Sequence, residues 1–144
     1  MMNVRQISVF LENRAGQLAE ITNVLAENGI DLRAISIAEA ADYGVLRMIV
    51  DNAEKTAGVL LEHGYIVSMT PVMVVAVPDR PNGLSPVLAL LSEGNIDIEY
   101  MYALFTKNIG TAYMVFRISD EEKFNALLEQ HGMIPVTKAE LGLK

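Results

Sequence analysis

The chain contains no cysteine. Disulfides, thiolate metal sites and cysteine nucleophiles are thereby excluded, and the composition fits a reducing compartment. It has no run of basic residues, and its formal net charge is -7. A phosphate backbone would be repelled, so no nucleic acid is expected as a partner. No apolar stretch reaches the length of a membrane span. The segment from Met1 to Phe10 alternates polar and apolar residues and lacks the apolar region of a secretion signal. A soluble, cytoplasmic protein with no membrane partner is the expectation. Gly-rich phosphate loops are missing. Charged residues are also scarce, at 20%. That is low for an average domain and points to surface buried beyond a monomer core.

What the chain does have is a repeat. A constant step along the sequence carries Arg14 onto Arg80, Leu18 onto Leu84, Leu25 onto Leu91 and Glu27 onto Glu93. The same step carries Ile30-Asp31 onto Ile96-Asp97, Gly44 onto Gly110 and Met48 onto Met114. A slightly longer step matches Glu54-Lys55 with Glu122-Lys123 and His63-Gly64 with His131-Gly132. Two units follow, residues 1–70 and 71–144. Each is a marginal size for folding alone, so the two are expected to support one another.

Each unit carries the same order of elements. Val4–Leu11 reads as a strand, with Ile7, Val9 and Leu11 on one face. A loop follows, then a helix with Leu18, Ile21, Thr22 and Leu25 on its apolar stripe. Asn28-Gly29 ends that helix. Leu32–Glu39 and Val45–Val50 read as strands around the Asp42-Tyr43-Gly44 turn. Asp51 with Glu54 suggests a capping box for a second helix, closed by His63-Gly64, and Tyr65–Ser68 is a fourth strand. The second unit has strands at Val72–Val77, Asp97–Phe105, Thr111–Arg117 and Ile134–Thr137. Its helices carry Leu84, Val87, Leu88 and Leu91, then Phe124, Leu127 and Leu128 behind a Ser119–Glu122 box. Pro71 is expected at the junction or on an edge. Each unit is therefore an α+β, ferredoxin-like βαββαβ arrangement, with both helices on one face of its sheet.

The loops between the first strand and first helix of each unit carry a further pattern. In the first unit the run is Asn13-Arg14-Ala15-Gly16-Gln17-Leu18, followed past the helix by Gly29-Ile30-Asp31. In the second it is Asp79-Arg80-Pro81-Asn82-Gly83-Leu84, followed by Asn95-Ile96-Asp97. Glycine between strand and helix lets a backbone approach a ligand closely. The free N–H groups and positive dipole end of a helix suit a carboxylate. Asp31 or Asp97 would accept from an ammonium group.

The doubled pattern resembles the ACT domain, a small-molecule regulatory module of amino-acid pathways, and the resemblance covers essentially the whole chain. It implies two units side by side in one eight-stranded antiparallel sheet with helices on one face. It also implies a free amino acid bound at the interface of the units. Carried over, the ligand-holding positions are Asn13, Ala15, Gly16 and Asp31, and Asp79, Pro81, Asn82 and Asp97, each aspartate contributing to the site of the neighbouring unit, with Arg14, Gln17, Leu18, Arg80, Gly83 and Leu84 completing the loops. The chain departs from the family pattern at Ala15, where proline is usual, at Asn82, where glycine is usual, and at both aspartates, where asparagine is usual. The two sites are therefore not expected to be equivalent.

His63 and His131 occupy the same slot at helix C-termini, where a cation meets the negative dipole end. Neither forms part of a Ser-His-Asp set or of a metal site. Tyr100, Tyr102 and Tyr113 lie on strands as packing residues. The expectation is a non-enzymatic amino-acid sensor, without catalytic residues, metal or cofactor, that regulates another protein. Two rival readings are a regulatory subunit of a biosynthetic enzyme such as acetolactate synthase, and a small ferredoxin-like enzyme. A homodimer is expected as well. Every residue of Val72–Val77 is apolar, and Ala112–Phe116 is apolar on both sides, which would leave a large apolar sheet face uncovered.

Overall fold

In a computed structural model of the protein, residues 4–12, 14–39, 42–105 and 107–144 are described. The elements are β1 (Val4–Glu12), α1 (Gln17–Glu27), β2 (Leu32–Glu39), β3 (Tyr43–Val50), α2 (Ala53–Glu62), β4 (Ile66–Pro78), α3 (Ser85–Glu93), β5 (Ile98–Leu104), β6 (Thr111–Ile118) and α4 (Glu121–Gln130). Two compact units emerge. One holds Arg5–Thr70 with Gly142–Lys144, and the other holds Pro71–Leu141 with Val4. The chain end joins the first unit through a hydrogen bond from the Lys144 N–H to the Asp51 carbonyl at 2.8 Å.

The first unit contains the antiparallel ladder β2-β3-β1. Ile7, Val9 and Leu11 of β1 and Leu46, Met48 and Val50 of β3 face Ile21, Val24 and Leu25 of α1 and Ala53 and Leu60 of α2. The period-two alternation of the strands meets the 3.6-residue stripe of the helices, and the shared core lies between them. The second unit contains the ladder β4-β6-β5. Met73, Val75 and Val77 pack with Val87, Leu90 and Leu91, and Phe116 meets Phe124 edge-on at 5.7 Å. Both helices cover one sheet face in each unit, as their apolar stripes require.

The described residues form six strands, not the eight of the sequence reading. Tyr65–Ser68 and Val72–Val77 merge into the single strand β4, because the fixed φ of Pro71 is compatible with extended backbone. Ile134–Thr137 is not a strand. Val136 N–H donates to the Val74 carbonyl at 2.8 Å, but Pro135 has no donor with which to extend a ladder.

The helix caps also differ from the expected boxes. Asn52, not Asp51, caps α2 by accepting from Lys55 N–H, and Asp120, not Ser119, caps α4 by accepting from Lys123 N–H. Asp51 and Ser119 instead accept from the backbone N–H of Asp31 and Asp97, each at 3.0 Å.

Several residues on the sheet faces turned away from the helices are buried. Gln6, Ala34 and Ile49 are buried in the first unit, and Val72, Val74, Leu104, Val115 and Val136 in the second. The apolar face on which the homodimer expectation rested is therefore buried in part among the described residues.

Candidate functional site

The β1–α1 loop of the first unit sits over a cavity of about 400 Å³. Its walls come from the end of β1 (Phe10, Leu11, Glu12), the loop and first turn of α1 (Arg14, Gln17, Glu20), Tyr43 at the start of β3, and His63–Ile66 after α2. A smaller cavity of about 140 Å³ adjoins the same loop and adds Leu18, Ile37 and Gly44. The local sequence explains this geometry. Gly16 caps α1 with φ at 86°, a left-handed conformation that glycine adopts without a Cβ penalty, and it offers no side-chain cap. The first helical bond runs from Glu20 N–H to the Gly16 carbonyl. The N–H groups of Gln17, Leu18 and Ala19 therefore have no partner inside the helix.

Two polar groups in the cavity wall lack partners. Gln17 is 8% exposed, and its Oε1 accepts no hydrogen bond. The Tyr65 hydroxyl is buried and makes none either. Burial, and secondarily the adjacent Glu20 carboxylate, raises the Tyr65 phenol above its ordinary value. Glu20 acts on the phenol by its approach as a hydrogen-bond acceptor and then by its charge, while Arg14 opposes it. Buried polar groups without a partner cost about 1–3 kcal/mol each. Around them Arg14 lies 3.6 Å from Glu12 and 3.5 Å from Glu20. One guanidinium faces two carboxylates, so the local balance is acidic.

The corresponding cavity in the second unit measures about 270 Å³ and is lined by Ala76, Val77, Pro78, Arg80, Asn82, Gly83, Pro86, Val87 and Met133. Its loop is built differently. Asn82 takes the left-handed conformation, with φ at 64°. A Cβ on Gly83 would run into the Pro78 carbonyl oxygen, so this glycine answers a close backbone approach. The N–H groups of Asp79, Arg80 and Gly83 donate to the carbonyls of Gly110, Pro78 and Arg80. α3 begins only at Ser85, and Pro86 removes one donor from its first turn.

The sequence-derived residues divide accordingly. Arg14, Gln17 and Leu18 come together around the first-unit cavities, with Ala15 and Gly16 forming the turn above them. Arg80, Asn82 and Gly83 line the second-unit cavity, while Asp79, Pro81 and Leu84 belong to the same loop outside its lining. Asn13 lies outside the described residues. Asp31 is not brought to the loop of its own unit. The 11-residue α1 separates them by about 16 Å at 1.5 Å per residue. Its backbone pairs with Asp51, and its carboxylate meets Arg33 at 3.4 Å. Asp97 is held likewise, its N–H donating to the Ser119 hydroxyl.

Phe10, Glu12, Glu20, Tyr43, His63 and Tyr65 are cavity residues that the sequence reading did not place in a site. Their signal was available as a difference between the repeats. The steps that align the units carry Phe10 to Ala76, Glu12 to Pro78, Gln17 to Gly83, Glu20 to Pro86, Tyr43 to Ile109 and Tyr65 to Met133. His63 matches His131, and both ring Nδ1 atoms lie within 3 Å of the carbonyl one turn back, as helix-end histidines. Among the described residues no cluster of metal-ligating side chains is present, and no helix is long and apolar enough to cross a membrane.

Comparison with known proteins places this architecture. No curated protein matches the chain. A crystal structure of protein BT0572 from Bacteroides thetaiotaomicron is similar at 38% identity, with a TM-score of 0.89, over 98% of this chain and 96% of that one. The regulatory subunit of aspartate kinase from Thermus thermophilus shares the fold at 16% identity and a TM-score of 0.67, over 91% and 92% of the two chains. Its counterpart from Thermus flavus does so at 17% and 0.61, over 90% and 93%. The model of the ACT domain pair, a family of regulatory domains, matches residues 2–141. With its two βαββ-built units and their matching loops, the chain belongs to the ACT domain pair family.

Proposed function

We propose that this protein is an amino-acid sensor that binds a free amino acid in the cavity under the β1–α1 loop of its first unit. The observation that carries the reading is the pair of unpartnered buried groups there, Gln17 Oε1 and the Tyr65 hydroxyl. They lie beside a helix start with free N–H groups. The N–H groups of Gln17, Leu18 and Ala19 suit a carboxylate. Gln17 Oε1 and the acidic pair Glu12 and Glu20 suit an ammonium. An α-amino acid carries both charges on neighbouring atoms.

Arg14 takes a positioning role in this reading, holding the loop through Glu12 and Glu20. Such exposed pairs contribute little to stability but restrict geometry. Binding becomes regulation only if the ligand favours one of two states of the protein or its complex. The output is delivered through a second copy of the chain or a partner enzyme. A homodimer would use exposed apolar residues such as Phe10, Ile37, Tyr43 and Ile66.

A thermal-shift and calorimetric panel of the common amino acids tests the proposal. A ligand present at a hundredfold excess over Kd should add about 2.7 kcal/mol of stability, with Kd expected between roughly micromolar and millimolar for so small a molecule. No binding by any amino acid at millimolar concentration would remove the reading. The same titration on Asp31→Ala separates the first-unit cavity from the resemblance-derived contact. Unchanged affinity supports the cavity, and a loss of about tenfold or more would place Asp31 in the site.

A further inference from the structure

The two cavities occupy equivalent places in the repeat, and they differ in almost every wall residue that carries chemistry. The first has Phe10, Glu12, Gln17, Glu20 and Tyr65, where the second has Ala76, Pro78, Gly83, Pro86 and Met133, and the first adds Tyr43, whose repeat counterpart Ile109 lies outside the second cavity's lining. The divergence has a direction. Three six-membered aromatic rings, beside the His63 imidazole, stand on the first side, and none on the second among the described residues. All the carboxylates and both orphaned polar groups are on the first side as well.

The rings are placed where a ligand would meet them. Phe10 and Tyr43 lie 6.3 Å apart with their planes tilted by 46°. They remain 48% and 50% exposed, which is high for large apolar side chains. Tyr65 lies deeper, its ring packed against the core and its hydroxyl without a partner. Aromatic faces left open beside a polar cavity offer stacking and edge contacts to another flat group. Size points the same way. A cavity of about 400 Å³ has room for about a dozen waters at ~30 Å³ each. Glycine, alanine or serine would leave most of that volume to solvent.

We infer that the ligand is an aromatic amino acid, bound once per chain, in the first unit. This rests on the reading of the protein as an amino-acid sensor and narrows it. The ring of the ligand lies against Phe10 and Tyr43. Its ammonium donates to Gln17 Oε1 in the field of Glu12 and Glu20, and its carboxylate meets the open N–H groups of α1. The second cavity takes no such ligand. Among the described residues its only charged wall residue is Arg80, so it offers no carboxylate to an ammonium. Its loop N–H groups are already bonded to backbone carbonyls.

Isothermal calorimetry on the full chain with phenylalanine, tyrosine, tryptophan, glycine, alanine, serine and 3-phenylpropionate tests the inference. The expected result is one site per chain, with an aromatic amino acid bound at least about tenfold more tightly than alanine or serine. The amine-free 3-phenylpropionate should bind at least about tenfold more weakly than phenylalanine. Equal or tighter binding of the small amino acids would overturn the inference while leaving the sensor reading standing. Two equivalent sites would overturn the assignment to the first unit. Silence across this panel would overturn the inference, and the sensor reading would fall with it only if the remaining common amino acids were silent too.

Two variants supply the residue test. Phe10→Ala, at an exposed position, should reduce the preference for phenylalanine over alanine to about threefold or less. Gln17→Leu should weaken phenylalanine by about tenfold. If Gln17→Leu fails to fold, Glu20→Gln takes its place, with a smaller loss expected. An unchanged affinity and preference in folded variants would count against the placement.

Discussion

Gly16 and Gly83 stand at neighbouring positions of the repeat and are required for different reasons. Gly16 has φ at +86° with open space where a Cβ would go. Replacing it by alanine should therefore cost only the left-handed backbone, about 1–2 kcal/mol. Asparagine tolerates that conformation, and Asn82 adopts it in the second unit. Gly16→Asn should accordingly be close to neutral. A Cβ on Gly83 collides with the Pro78 carbonyl, and backbone cannot swing aside. Gly83→Ala and Gly83→Asn should each cost about 1–3 kcal/mol or more by overpacking. Urea denaturation of the four variants checks the pattern, and a neutral Gly83→Asn would contradict it. Both glycines are visible in the sequence. Which is needed for conformation and which for clearance depends on how closely β4 returns to the loop.

At the scale of elements, the strands and helices were legible from periodicity, and their ends were less so. The stripe of Leu18, Ile21 and Leu25 and the alternation of Ile7, Val9 and Leu11 each admit one facing. The start of α2 does not, because Asp51 and Asn52 are both good caps and adjacent. The choice is made by Asp31, the residue just before β2, whose N–H donates to the Asp51 carboxylate and leaves Asn52 for the helix. The second unit repeats the division with Ser119 and Asp120. Asn52→Ala and Asp120→Ala should each destabilise by about 1 kcal/mol through loss of a cap. Asp51→Ala and Ser119→Ala should leave the helices capped and accelerate amide exchange at Asp31 and Asp97. Denaturation together with hydrogen exchange distinguishes the two patterns. Slow exchange at Asp31 in Asp51→Ala would show that the carboxylate is not what protects that N–H.

At the scale of the whole molecule, the proposed ligand would regulate by changing the state of association. Exposed Phe10, Ile37, Tyr43 and Ile66 give self-association a surface in the first unit, and three of these residues, Phe10, Tyr43 and Ile66, also line the cavity. The mass of the chain is 15.8 kDa. Light scattering should therefore give twice that mass, and the equilibrium should shift when an aromatic amino acid is added. A mass of 15.8 kDa with and without ligand would leave only a partner enzyme as the output. The sequence by itself determined the repeat, the βαββ order of each unit, the loops that open each first helix, and the exclusion of thiol chemistry. These are local properties, written in periods of two and 3.6 residues and in glycine positions. Tertiary structure alone decided that Pro71 lies inside one long strand, that several residues on the second sheet faces are buried, and that Asp31 lies a helix length from its own loop. It also decided that Phe10, Tyr43 and Tyr65, remote from one another along the chain, stand around one cavity. Such proximity follows from how strands and helices pack, and no local pattern encodes it.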